Sequence, residues 1–225
     1  MCMKVIVIIP AYNEEDSILK VVRDLKAANT GCDYLVINDC SKDSTLEILR
    51  KEGIQHLDLP VNLGLTGAVQ AGYKYAYYHN YDAAIQFDGD GQHLPEYIPM
   101  LVEEIKNGYD IVIGSRFVDN KKGLSLRMLG SRIITFAIKL TTGKKISDPT
   151  SGMRIINKKY IKDYAFEINR KPEPDTLAFQ IKKGAKVKEV QVEMEERFAG
   201  ESIYSGISSS IKYMVKVIIT IIFFN

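Results

Sequence analysis

Short runs of β-branched and other apolar residues recur along this chain, each followed by a stretch of helical periodicity. That alternation leaves few folds open. Val5-Ile-Val-Ile-Ile9 is continuously apolar, the pattern of a strand buried on both faces. Tyr34-Leu-Val-Ile37 repeats it, and Ile54–Leu59, Ala83–Phe87 and Asp110–Gly114 read as three further strands, with another at Lys186–Val192. Ile18, Val21, Val22 and Leu25 supply the apolar stripe of a helix expected over about 14–28, with Asn13 as its N-cap. Further helices are expected from Asp43 to Lys51 with Ser41 or Lys42 near the cap, from the glycines after Asn62 to Asn80, and over Pro95–Asn107. Strands and helices alternating at this spacing predict an α/β protein with a mostly parallel, doubly wound sheet. Such sheets bind their ligands at the carboxyl ends of the strands.

The polar residues at those ends are Asn13 and Glu14, Asp39, Asp88 and Asp90, and Ser115 and Arg116. Asp88-Gly-Asp-Gly-Gln-His93 is the most informative of these stretches. Residues i and i+2 of an extended backbone point to the same side. Two carboxylates so placed suit a hard divalent cation that keeps positions open for phosphate oxygens. The same residues also fit a plain acidic-glycine turn. His56, His79 and His93 show neither ligand nor triad spacing, although His93 is close enough in sequence to stand behind a metal site. Gly64, Gly67 and Gly72 fit either a nucleotide against backbone or tight helix packing, and the Gly-Lys-Ser/Thr ending of a P-loop is missing.

The 225 residues divide on this reading into a domain over 1–200 and a C-terminal helix over 201–225. A formal net charge of +2 gives no strong field for a polyanion, so nucleic acid is not an expected partner. Cys2, Cys32 and Cys40 are odd in number and lack metal spacing, which suits a reducing compartment. The N-terminus has no signal-peptide pattern, because Pro10 ends its short apolar run. Near the C-terminus, Ile203, Ile207, Ile211, Val215, Ile218 and Ile222 form a helical stripe. The apolar run there is too short to span a bilayer. It is read as an interfacial helix or a surface for a small membrane protein, with packing on the chain's own core as the alternative.

With those pieces in order, the chain resembles the family-2 glycosyltransferases of GT-A fold, above all the dolichyl- and polyprenyl-phosphate sugar synthases. The resemblance rests on Pro10-Ala-Tyr-Asn-Glu14, Val36-Ile-Asn-Asp-Cys-Ser-Lys-Asp-Ser-Thr45, Asn62-Leu-Gly-Leu-Thr-Gly67, Asp88–His93, Gly114-Ser-Arg-Phe117, Asp148-Pro-Thr-Ser-Gly-Met-Arg154 and Arg197-Phe-Ala-Gly-Glu-Ser202. It implies an inverting, metal-dependent transfer of a hexose or N-acetylhexosamine from a UDP- or GDP-sugar to polyprenyl (undecaprenyl or dolichyl) phosphate. Pro10, Ala11, Tyr12, Glu14, Asp39, Gly67, Asp88 and Gly89 would hold the nucleotide. Asp88, Asp90 and Gln92 would hold Mg²⁺ or Mn²⁺, and Asp88, Asp90 and Arg116 would carry catalysis. Arg116, Arg127, Ser131 and Arg197 would face the acceptor phosphate, Arg127 and Ser131 sharing a helix face, while Asp148, Glu173 and Asp175 would touch the sugar. A saccharide hydroxyl in wall or capsule synthesis is the alternative acceptor. It would need a general base, for which Glu173 and Asp175 are the candidates. The resemblance places the protein at the cytoplasmic face of the membrane, peripheral or held by a membrane partner.

Overall fold

The computed structural model describes residues 3–123, 125–167, 174–195 and 207–223, with the side chains of all of these except Leu126, Arg127, 207–213 and Phe223. The apolar runs form β1 (Val5–Ala11), β2 (Asp33–Asn38), β3 (His56–Asp58), β4 (Ala83–Gln86) and β5 (Ile111–Ser115), joined by β6 (Arg154–Asn157) and β7 (Val187–Gln191). They make one sheet in the order β3-β2-β1-β4-β6-β5-β7. Every residue of β1, β4 and β5 is buried, which is why those runs do not alternate with polar residues.

β1 sorts its side chains by parity, as the pleat requires. Ile6 and Ile8 enter one core with Val69 and Tyr73 of α3 (Gly64–Tyr78), Ile134 and Ile138 of α5 (Leu126–Thr142), and Ile161 and Tyr164 of α6 (Lys158–Phe166). Leu177 of α7 (Pro174–Lys182) and Val217 and Ile221 of α8 (Ile207–Phe223) complete that layer. Val5, Val7 and Ile9 enter the other, with Ile18 and Val22 of α1 (Ile18–Ala27), Leu49 of α2 (Thr45–Lys51) and Ile98 and Leu101 of α4 (Ile98–Lys106). Burying each such aliphatic side chain contributes roughly 1.5–3 kcal/mol. Close approach of α3 to β1 needs Gly72, where an added Cβ would lie 2.2 Å from Ile8 Cγ2. A Cβ added at Gly67 would lie 2.3 Å from Leu63 Cβ. Both glycines therefore serve packing.

The sheet is mostly parallel as expected, with one reversed strand, and three other expectations are corrected. The sheet is mixed: β1 runs parallel to β2 and β4, β2 to β3, and β5 to β7, whereas β6 runs antiparallel to both β4 and β5. Asn13 does not cap α1. It adopts a positive φ of 54° and its Oδ1 accepts the Lys42 N–H at 2.8 Å, so the helix begins at Ile18 with Ser17 at the N-cap. Likewise α2 starts at Thr45, beyond Ser41 and Lys42, because Asp43 Oδ1 takes the Thr45 N–H at 3.0 Å.

The third correction concerns the C-terminal helix. Val217 and Ile221 are buried, with Met214 and Ile218 packed against the same core, while Val215 and Ile222 of the expected stripe face outward. The helix spends its most apolar face on α5 and α7 of its own chain. No helix among the described residues is long and apolar enough to cross a membrane. A small membrane protein docked through an apolar C-terminal helix is therefore set aside.

Candidate functional site

Parallel pairing aligns the ends of β1 and β2, with Ala11 opposite Asn38. The next residues, Tyr12 and Asp39, thus leave the sheet side by side, and Asp39 N–H donates to Ala11 O at 2.9 Å. Tyr12 is exposed, as a ring that stacks on a base would be, whereas Asp39 is buried. Asp39 Oδ1 accepts the Leu63 N–H at 2.7 Å, which ties β2 to the start of α3. Burial raises the Asp39 pKa above the ordinary aspartate value, and the Leu63 and Gly64 N–H groups draw it partly back.

The β4 end carries the acidic loop. Gly89 allows it to pass β1 closely, since a Cβ there would lie 2.9 Å from Pro10 O. Ser17 Oγ sits 2.6 Å from Glu14 Oε2 and 2.8 Å from Gly89 O, fastening the Pro10–Glu14 turn to this loop. Glu14 is thus half-buried and engaged inside the site. The Asp88 carboxylate is partly open; its Oδ1 accepts from Gln86 Nε2 at 3.3 Å and its Oδ2 lies 3.6 Å from His93 Nε2. His93 Nδ1 accepts the Asp88 N–H at 3.0 Å, so the ring proton belongs on Nε2, facing that carboxylate. His93 stands behind Asp88 and fixes it. Asp90 is only 4% exposed, and its Oδ1 accepts the Gln92 N–H at 3.1 Å. The Gln92 amide nitrogen is directed at Glu195 O, 3.5 Å away.

Two hard carboxylates on one short loop, one of them open, fit a divalent ion that takes its remaining ligands from diphosphate and water. Among the described residues no group of three His, Cys, Asp or Glu side chains that could hold a metal is found.

Antiparallel β6 brings a third segment to the same edge. Its first residue, Arg154, is opposite Gln86 on one side and Ile113 on the other, so residues 148–153 lie between the β4 and β5 ends. On the β4 side, a Cβ at Gly152 would lie 2.3 Å from Asp88 Oδ2. On the β5 side, Asp148 takes Arg116 in a two-pronged ion pair, Nε to Oδ2 at 2.7 Å and Nη2 to Oδ1 at 3.0 Å. Arg116 is 28% exposed at its side chain and Asp148 is 0% exposed. Glu189 holds the loop from below by accepting the Ser147 and Asp148 N–H groups at 2.6 and 2.7 Å. Asp148 is therefore the anchor of Arg116.

Lys122, which no motif marks, lies on the connection from β5 to α5. Its Nζ donates to Ser131 Oγ at 2.6 Å and Thr135 Oγ1 at 3.2 Å. Ser131 is buried and turned to Lys122. Ser131 and Thr135 stand four residues apart in α5, on one face of the helix. Asp175 lies in the first turn of α7. The Arg127 side chain, Glu173 and Arg197 lie outside the described residues.

Comparison with known proteins agrees with this arrangement. The Glycosyl transferase family 2 pattern matches residues 6–165. The dolichol-phosphate mannosyltransferase of Pyrococcus furiosus is 35% identical over 91% of this chain and 60% of its own length. The undecaprenyl-phosphate mannosyltransferase of Micrococcus luteus is 29% identical over 91% of this chain and 88% of its own. Among solved structures, glucosyl-3-phosphoglycerate synthase of Mycobacterium tuberculosis, in complex with Mn²⁺, UDP-glucose and phosphoglyceric acid, superposes with a TM-score of 0.70. It does so at 17% identity, over 98% of this chain and 80% of that one, and so shares the fold. With a family pattern covering most of the sheet and every strand end of the site, the chain belongs to glycosyl transferase family 2 and is a glycosyltransferase.

Proposed function

We propose that this chain transfers a hexose or N-acetylhexosamine, with inversion, from a UDP- or GDP-sugar to polyprenyl phosphate at the cytoplasmic face of a membrane. The observation that carries the acceptor class is the condition of Asp148. A hydroxyl acceptor has to lose a proton and needs a free base beside it. Asp148, the carboxylate on Arg116, is buried with both oxygens on that guanidinium. A phosphate monoester is already ionised near neutral pH. One of its oxygens forms the bond to the anomeric carbon while the bond from that carbon to the diphosphate breaks. The nucleoside diphosphate leaves with the electron pair, and no proton has to be removed.

In this reading Tyr12 and Asp39 take the base and ribose, with Pro10, Ala11, Glu14 and Gly89 shaping the floor. Asp88 and Asp90 would hold Mg²⁺ or Mn²⁺, with Gln92 alongside; when bound, the ion supplies Lewis-acid neutralisation of the departing diphosphate. Arg116, kept in place by Asp148, faces the acceptor phosphate. α5 offers a surface suited to a bilayer. Leu129, Ile133, Phe136 and Leu140 recur at helical spacing on an exposed face of α5, with Phe136 65% and Leu140 69% exposed. Arg132 and Lys139, also exposed, lie beside that stripe and complement anionic lipid headgroups.

The test is release of nucleoside diphosphate with Mn²⁺ across UDP- and GDP-sugars, with undecaprenyl phosphate in detergent, with a saccharide acceptor, or with neither. Turnover of one donor only when the lipid is present supports the proposal. Turnover with a saccharide and none with the lipid rejects it.

A further inference from the structure

The corner beside Arg116 holds a half-buried cation, Lys122, that makes no ion pair among the described residues. Lys122 lies on the connection between β5 and α5 and is half-buried. Its ammonium has three hydrogens, and its hydrogen-bond partners among the described residues are two neutral hydroxyls, Ser131 Oγ and Thr135 Oγ1. No carboxylate lies within ion-pair distance of it among those residues, whereas Arg116 is paired with Asp148. The nearby acids are committed elsewhere: Asp148 to Arg116, and Glu189 to two backbone N–H groups. The position is built, because Arg132 Nη2 donates to Lys122 O at 2.7 Å and so fastens the loop to α5. The Phe117 ring lies 5.4 Å from Nζ.

Half-burying a charge without a partner is costly, and desolvation accordingly lowers the pKa of Lys122. Arg116, with Asp148 across it, presents a nearly neutral pair. Asp148 and Glu189 act on Lys122 only beyond ion-pair distance, so of the two cations Lys122 is the less compensated.

We propose that Lys122 binds the acceptor's phosphomonoester group, its free N–H donating to a phosphate oxygen, and that Ser131 and Thr135 are positioning residues that aim it. This rests on the reading of the site as a sugar transferase acting on a phosphate acceptor, and assigns Ser131 a role behind the lysine. The ligand chemistry is a phosphomonoester, which a lipid or a small soluble metabolite could carry.

Isothermal titration of the full chain separates these cases, with undecaprenyl phosphate in detergent in one arm and 3-phosphoglycerate in buffer in the other. Wild type, Lys122→Met and a Ser131→Ala/Thr135→Val double variant are compared, with UDP binding as the control. A charge-assisted hydrogen bond to phosphate predicts a loss of about tenfold or more in phosphomonoester affinity for Lys122→Met. The double variant should lose about three- to tenfold on the same scale, and UDP affinity should not change. The melting temperature of Lys122→Met should stay level or rise, since the variant removes a half-buried charge that makes no ion pair among the described residues; a merely structural lysine would move it down. Unchanged phosphomonoester affinity in Lys122→Met overturns the inference, as does the failure of wild type to bind either phosphate. Binding of 3-phosphoglycerate alone, sensitive to Lys122→Met, keeps the inference and removes the lipid acceptor.

Discussion

Gly152→Ala tests whether the β6 connection sets the position of the acidic loop. An alanine Cβ at this position would lie 2.3 Å from Asp88 Oδ2, where 3.4 Å is the start of ordinary contact. Something must yield by about 1 Å. The Asp88 side chain is the softer party, because its Oδ1 and Oδ2 are held only by Gln86 at 3.3 Å and His93 at 3.6 Å. Stability should therefore change little, by less than about 1 kcal/mol, which is a few degrees in melting temperature for a chain of this size. Activity should suffer much more, because displacing a reacting group by 1 Å can cost about 10²-fold. The assay is nucleoside diphosphate release at saturating donor and acceptor across a Mn²⁺ titration, alongside a thermal melt. The expected result is a kcat lower by about 10²-fold, a higher Mn²⁺ requirement and a nearly native melt. A kcat within threefold of wild type would refute the reasoning, and so would a collapsed melt, since the backbone rather than Asp88 would then have moved.

Two further outcomes follow from neighbouring contacts. Asp148→Asn strands the Arg116 guanidinium; discounting the buried-pair value because Arg116 reaches water, unfolding in urea should show a loss of about 2–4 kcal/mol with an unchanged m-value. A loss below about 1 kcal/mol would mean the pair behaves like a surface contact. Asp39 has a folded pKa raised by burial, so the folded state holds its proton more tightly than the unfolded chain. Its stabilising contribution is full below the ordinary aspartate value of 3.8 and is lost as pH rises through the folded pKa. The melting temperature of wild type relative to Asp39→Asn should accordingly rise on acidification through the range above 3.8, and a difference independent of pH would show that the burial term is absent.

The buried strands were legible because Val5–Ile9 and its counterparts are apolar at every position, which only a sheet covered on both faces tolerates. β6 was not. Arg154-Ile-Ile-Asn157 is four residues with one charge, and its direction depends on which edge of β4 and β5 it enters, a matter of long-range packing. Helix starts were misjudged where side chains made distant contacts: Asn13 looks like a cap locally but is taken by Lys42, twenty-nine residues on. The strand-end acids were placed correctly at the edge, since their positions follow from strand ends alone. The pairing of Asp148 with Arg116 and of Lys122 with Ser131 depends on the fold of loops, and the isolated lysine carries no periodic or motif signal.

The reversed strand β6 has a metrical consequence. The segment before it touches the acidic loop through Gly152 and the basic corner through Asp148. Four residue steps of chain span at most about 14 Å. On the proposed function, that short length would tether leaving-group chemistry on one bank to the incoming nucleophile on the other. Lengthening or shortening it by one residue would throw the two reactants out of line while leaving every side chain that touches either of them in the sequence.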